Sequence, residues 1–203
     1  MDQAQGERGI TRREFVLGSA AGLTMGATAS QAGNQSELIE LSAADAVAHM
    51  SRGDLSVEQY AEALLARCAK LAGLNAFITL NPSQVLAAAH ALDQRRRAGA
   101  KPGPLFGLPI PVKDSVNTRD YPTSAGTPAL RHFTPRADAA AMRTLREAGA
   151  IVLGKTNLHE LSYGWTSDNH AFGAVHNPYA IGRIPGGSSG GTAVAVAARM
   201  APL

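Results

Sequence analysis

The sequence has little of several things, and each shortage narrows what it can be. Among 203 residues there is one cysteine, Cys68. A lone thiol excludes an intrachain disulfide framework and a cysteine-based zinc site. No apolar run reaches the ~18 residues that an ordinary membrane-spanning helix needs. Charged residues are 17% of the chain against 45% hydrophobic. That is too little charge for a disordered chain and enough apolar material for a core. Nineteen basic and sixteen acidic residues leave a net charge of +3, with a pI near 9.3. No long Lys/Arg stripe accompanies that balance, so a nucleic-acid partner is not expected. There are no internal repeats, and the length suits one domain or slightly more.

The first 32 residues read as an address. Arg12-Arg13 precede a mild apolar stretch from Gly18 to Ala29, and small residues follow. This is the layout of an export signal, and the arginine pair points to the twin-arginine route. Cleavage is expected after Ala29 or Ala32. The segment is too rich in Gly, Ala and Thr to serve as a stable membrane anchor. It holds three basic and three acidic residues, so its removal leaves the charge at +3. A periplasmic or otherwise exported product is expected, with residues 33–203 as the folded portion.

That portion alternates helical and strand patterns. Ser42 caps a short helix to about Ser51, ended by Gly53. Ser56 and Gln59 form a capping box ahead of a helical stripe of Val57, Tyr60, Ala61, Leu64, Leu65, Cys68 and Leu71, which places Cys68 in the core. Ala76 to Leu80 reads as a strand. Asn81-Pro82 opens a further helix that ends near Arg95-Arg96-Arg97, where basic residues suit the helix dipole. Leu108 to Lys113 and Ile151 to Leu153 read as strands of a parallel unit, with a helix capped by Asp138 between them. Asn157 and Glu160 suggest another capping box. From Tyr163 to Gly191 the chain is rich in Gly, Asn, Pro and Ser, and a loop of that length is usually functional. It ends in Gly186-Gly187-Ser188-Ser189-Gly190-Gly191 and feeds an Ala-rich helix whose first N–H groups lie beside the serines.

Four chemistries compete for this loop. It lacks the Gly-Lys-Ser/Thr ending of a phosphate-binding P-loop. Gly186 to Gly190 satisfies G-x-S-x-G, as a nucleophile elbow of an esterase would. The preceding Asn177 to Pro185 is poor strand sequence, however, and no histidine follows Ser188. His159-Glu160 begins like a zinc-peptidase helix but meets Tyr163 where the second histidine belongs. The fourth pairs a serine with Lys113, which follows the apolar Leu108-Pro109-Ile110-Pro111-Val112. Desolvation there would lower the lysine pKa and let a neutral amine act as base. The plainer reading of Lys113 is a surface pair with Asp114 or Asp138.

Gly107-Leu108-Pro109-Ile110-Pro111-Val112-Lys113-Asp114 resembles the lysine motif of the amidase signature family. Gly154-Lys155-Thr156-Asn157-Leu158-His159-Glu160, Asn177-Pro178 and Pro185-Gly186-Gly187-Ser188-Ser189-Gly190-Gly191 match the same pattern in order. The similarity runs from about Leu41 to Leu203. Residues 159–164 and 172–179 look most like indoleacetamide and mandelamide hydrolases.

The resemblance implies an α/β fold, a mixed sheet surrounded by helices, incomplete in these residues. It also implies a Ser–cis-Ser–Lys triad. Lys113 would be the base and Ser188 the bridging serine on a cis peptide. Gly186, Gly187, Gly190 and Gly191 would shape the loop, Ser189 would support it, and Ser162 would line the pocket. The triad would hydrolyse a small aryl-acetamide-type amide to acid and ammonia or an amine, with no metal or organic cofactor. The expected partners are that small-molecule amide and the export machinery, with a homodimer as an open assembly. In the family pattern the nucleophilic serine follows about two dozen residues after the bridging serine, past Leu203, and brings the oxyanion-hole donors. The 203 residues are therefore expected to be an N-terminal portion without its own nucleophile. Three alternatives stand beside the hydrolase: a catalytically dead amide-binding remnant, a glutaminase like the A-type chain of an amidotransferase, and the G-x-S-x-G esterase. The export signal argues against the amidotransferase, whose complex is cytoplasmic.

Overall fold

The computed structural model describes residues 35–203, and the export reading of residues 1–32 lies outside the described residues. The architecture that follows is that of the compact unit Leu38–Leu203.

Helix α1 (Ala43–Arg52) starts where Ser42 accepts the Asp45 N–H. It stops at Gly53, whose φ of +87° lets its N–H reach the carbonyls of His49 and Met50. Helix α2 (Val57–Lys70) opens with a full capping box. Ser56 Oγ accepts the Gln59 N–H and Gln59 accepts the Ser56 N–H. The apolar stripe of α2 is buried from Val57 to Cys68, and Leu71, the C-cap, is half-buried. Helix α3 (Pro82–Arg97) follows the first strand, with Asn81 as N-cap and Pro82 at its first position. It packs along α2.

A buried polar group links those two helices. Asp93 of α3 is fully buried, and its two oxygens accept the N–H groups of Val57 and Glu58 at 3.1 Å each. A carboxylate from one helix thus satisfies free donors at the positive end of another.

The sheet has three strands in the order β1 (Phe77–Leu80), β3 (Ile151–Thr156), β2 (Pro109–Lys113). β1 runs antiparallel to β3 and β2 runs parallel to it, so the sheet is mixed. All six residues of the central β3 are buried. β2 contains two prolines, which a central strand would not tolerate. Leu108 O and Asp114 N–H both bond β3. Strand alternation therefore turns the positions of Pro109 and Pro111 away from the ladder, where no donor is needed.

Helix α4 (Ala140–Glu147) makes the crossover between β2 and β3, and Gly149 at φ +102° follows it. Its N-cap is Ala139, with no side-chain cap bond. The expected cap, Asp138, is turned elsewhere: it accepts the Arg119 N–H at 3.0 Å and pairs with Arg146 at 3.3 Å. Two partners outside the helix start outcompete a cap. Helix α5 (Gly190–Ala197) packs on β2 and β3 after the long loop. No helix among the described residues is long and apolar enough to cross a membrane.

Asp93→Ala should therefore lower the unfolding free energy by about 2–3 kcal/mol, because two buried N–H groups lose their acceptor. Urea denaturation followed by circular dichroism measures it. A loss below about 0.5 kcal/mol, the order of an ordinary surface change, would show that water replaces the carboxylate.

Candidate active site

Lys113 is the last residue of β2, and its backbone is fixed on both sides. Its carbonyl accepts the Val116 N–H at 2.9 Å, and the next N–H, of Asp114, bonds Thr156 O at 3.1 Å. The half-buried amine points at the glycine loop and donates to Ser188 Oγ at 2.7 Å. Burial holds its pKa below the ordinary lysine value. The surface pairing with Asp114 or Asp138 is not what forms. Asp114 is buried and faces Lys155 and Ser124, while Asp138 faces Arg119 and Arg146.

Ser188 follows a cis Gly187–Ser188 peptide. Its carbonyl accepts the His159 N–H at 3.1 Å. Ser189 is the exposed N-cap of α5 and makes no side-chain cap bond. The four glycines serve different ends. Gly186 has φ +86° and open space around it, so it supplies the backbone turn. Gly187 lies so close to Trp165 that a Cβ would sit 2.8 Å from its carbonyl carbon. At Gly190 a Cβ would run into Ser167 Oγ, and at Gly191 it would run into both Ala76 O and Asn157 O. The last two let the start of α5 sit directly on its neighbours.

Ser162 lies on the short 3-10 turn Glu160–Ser162, exposed, with φ +60°. The turn is tied to its surroundings through the Leu161 N–H to Ala125 O at 2.8 Å. The Lys113 amine and the Ser188 hydroxyl meet each other and not the Ser162 side chain. The capping box expected of Asn157 and Glu160 does not form. Asn157 is fully buried, and its amide donates to Asn75 O and Gly173 O instead. His159 lies in a loop, with Nδ1 3.1 Å from Thr166 Oγ1. No strand precedes Ser188 after β3 among the described residues, so the elbow geometry of the esterase reading is absent there.

Three further residues stand around the site; Ser167 and Asn169 have no signal in the sequence, and Lys155 lies inside a motif that assigns it no task. Ser167 Oγ donates to Gly186 O at 2.8 Å and accepts the Gly190 N–H at 3.0 Å, so it bridges the two ends of the loop that presents Ser188. Asn169 is buried and donates to Gly126 O and Leu158 O. Lys155 is buried in β3 beside Asp114. In addition, Thr156 and Thr192, 2.6 Å apart through their hydroxyls, join β3 to α5.

Gly191→Ala should push α5 off its seat, since both nearest atoms are backbone oxygens. An overpacking cost of about 1–3 kcal/mol is expected. Thermal unfolding of the variant checks this, and an unchanged melting temperature would show that the helix start has room.

The comparisons with known proteins fit this arrangement. The chain is 43% identical over 168 residues to the A-type chain of the Glutamyl-tRNA(Gln) amidotransferase of Thermobifida fusca, covering 82% of this chain and 34% of the relative. It is 43% identical to the peptide amidase of Stenotrophomonas maltophilia, with a TM-score of 0.75 over 80% of this chain and 35% of that structure. An amidase family protein of Bacillus anthracis is 33% identical, with a TM-score of 0.75 over 84% of this chain and 36% of its own. The chain thus spans about a third of the length of the curated relatives it matches. The mixed sheet with its helices is part of the α/β fold of these amidase-signature enzymes. A family model described as Amidase matches residues 59–203. With that match across most of the chain and the lysine–serine contact inside it, the chain belongs to the Amidase family.

Proposed function

We propose that this chain carries the base and the bridging serine of an amide hydrolase. The 2.7 Å contact between Lys113 Nζ and Ser188 Oγ carries the reading. Burial lowers the Lys113 pKa and so increases the neutral fraction of the amine. A neutral amine takes the Ser188 proton while Ser188 takes the proton of the attacking serine, which the resemblance places about two dozen residues further on. That oxygen adds to the amide carbonyl. Lys113 returns the proton through Ser188 to the leaving nitrogen as the C–N bond breaks. Water then uses the same relay to free the acid from the acyl-enzyme. Ser167 and the glycines hold the loop that presents Ser188, Ser189 stands exposed beside it, and Ser162 stands on the loop that would meet substrate.

A small aryl-acetamide is the proposed substrate class, supported by the resemblance of residues 159–164 and 172–179 to indoleacetamide and mandelamide hydrolases. A second reading is a glutaminase chain, favoured by the 43% identity to the Thermobifida fusca amidotransferase. Arg12-Arg13 favour the exported hydrolase.

The test is ammonia release from phenylacetamide-type amides, glutamine and peptide amides by the protein expressed from its own locus. Hydrolysis of the aryl-acetamides is expected. Lys113→Ala and Ser188→Ala should each lower kcat/KM by about 10²–10⁴-fold, the range for a general base or relay. Only the neutral amine is a base, so kcat/KM should fall as pH drops through the Lys113 pKa. That limb should lie below the ordinary lysine value of about 10.4. Hydrolysis of glutamine alone would establish the second reading. A melting shift with amides but no turnover would leave a binding remnant.

Export through the twin-arginine route belongs to the same proposal. Replacing Arg12 and Arg13 with lysine should move the protein from the periplasmic to the cytoplasmic fraction. Unchanged fractionation would remove that part of the reading.

A further inference from the structure

We propose that Lys155 is a positioning residue that masks the charge of Asp114 and leaves the Lys113 amine facing Ser188 without a carboxylate partner. The inference rests on reading Lys113 as the base. Its test reads the titration of Lys113 and not turnover, so the two can fail separately.

Lys113 and Asp114 are neighbours in sequence, and a lysine beside an aspartate ordinarily keeps its proton. Here the two side chains part. They lie at the end of a strand, where successive side chains take opposite faces. Lys113 goes to Ser188. Asp114 turns inward, where Oδ1 lies 3.1 Å from Lys155 Nζ and Oδ2 accepts the Ser124 N–H at 2.9 Å and the Ser124 hydroxyl. Ser124 thus takes Oδ2 by hydrogen bonds, while Oδ1 has the Lys155 ammonium as its ion-pair partner.

Lys155 is itself fully held. Its ammonium donates to Val116 O at 3.0 Å, Pro122 O at 3.2 Å and Thr123 Oγ1 at 2.7 Å. Those bonds use all three protons and favour the ammonium form; burial lowers the Lys155 pKa, and the Asp114 carboxylate beside it works the other way. It pairs with Val112 across the β2–β3 ladder, one position before Lys113. The next acid on this turn, Asp120, is taken by Arg146 at 2.6 Å. Burial lowers the Lys113 pKa, and its amine is hydrogen-bonded to Ser188 with no carboxylate in ion-pair contact among the described residues. Two carboxylates close in sequence to the base are thus each paired with a cation, Asp114 with Lys155 and Asp120 with Arg146, which Asp138 shares.

The chain has four lysines, Lys70, Lys101, Lys113 and Lys155. A pH titration of the full chain labelled with ¹³C at the lysine ε-carbon resolves them. Lys155→Met leaves Asp114 uncompensated and should raise the Lys113 midpoint by about one pH unit. Asp114→Asn leaves Lys155 uncompensated and should lower it. The double variant should return it to the wild-type value. A merely structural role would shift all three variants in one direction, because loosening the turn lets water reach the amine in each. An unmoved midpoint in Lys155→Met, or a double variant as displaced as Lys155→Met, overturns the proposal. Should Lys155→Met fail to fold, Asp114→Asn decides it, and an unchanged or raised midpoint there is the negative result.

Discussion

β2 and β3 run parallel with Lys113 opposite Thr156 and Val112 opposite Lys155, and this register decides where each group of the site stands. It brings two lysines to adjacent rungs while sending them to different surroundings. It also brings the end of β3 level with the end of β2. There the Asn157 carbonyl receives the Gly191 N–H at 2.9 Å, and the Thr156 hydroxyl meets that of Thr192. The start of α5 is thereby pinned beside Lys113, and Ser188 lies just ahead of that start. A slip of one residue would turn the strand over and separate the amine from the hydroxyl. The strand on the other side, β1, shares in this, because Ala76 O accepts the Asn157 N–H and limits the space at Gly191.

Much of this is legible in the residues because it depends on short-range rules. Ser42, Ser56 and Asn81 cap the helices that their positions predict, since an N-cap needs only an acceptor two or three residues before a free N–H. The apolar stripe of α2 and the parallel strand pair follow from periodicity and connection length. Asp138 and Asn157 mislead for one reason. Their side chains look like local caps, yet distant donors and acceptors claim them: Arg119 and Arg146 for Asp138, Asn75 and Gly173 for Asn157. A cap is worth roughly 1 kcal/mol, and a buried polar group left unpaired costs more. Tertiary partners therefore prevail wherever burial is deep.

The site divides in the same way. Lys113 and Ser188 stand out by motif, and the structure places them in contact. Ser167 is invisible by comparison, one serine in a loop full of small polar residues. It nonetheless ties Gly186 to Gly190 across the residue that matters. Lys155 stands inside a motif with no task of its own in the sequence, because nothing in its spacing reveals that three carbonyl and hydroxyl oxygens converge on it. The four glycines read alike in the sequence and differ in space. One turns the chain, and two clear the way for a helix to rest against its neighbours.

Cys68 closes a different part of the molecule. It is buried on α2, its Sγ lies 3.7 Å from Met200 O, and burial pushes its pKa up to about 12. Beside it, Arg67 Nε donates to Ala198 O at 2.9 Å, so the end of α2 holds the stretch just after α5. The chain's single thiol is therefore chemically silent while that contact is closed. Any reaction of native protein with a thiol reagent must wait for the 198–200 stretch to lift from α2. The cysteine is thus an internal clock for how often the helix behind Ser188 loses its anchorage, and its silence leaves the surface clear for a dye at a chosen position.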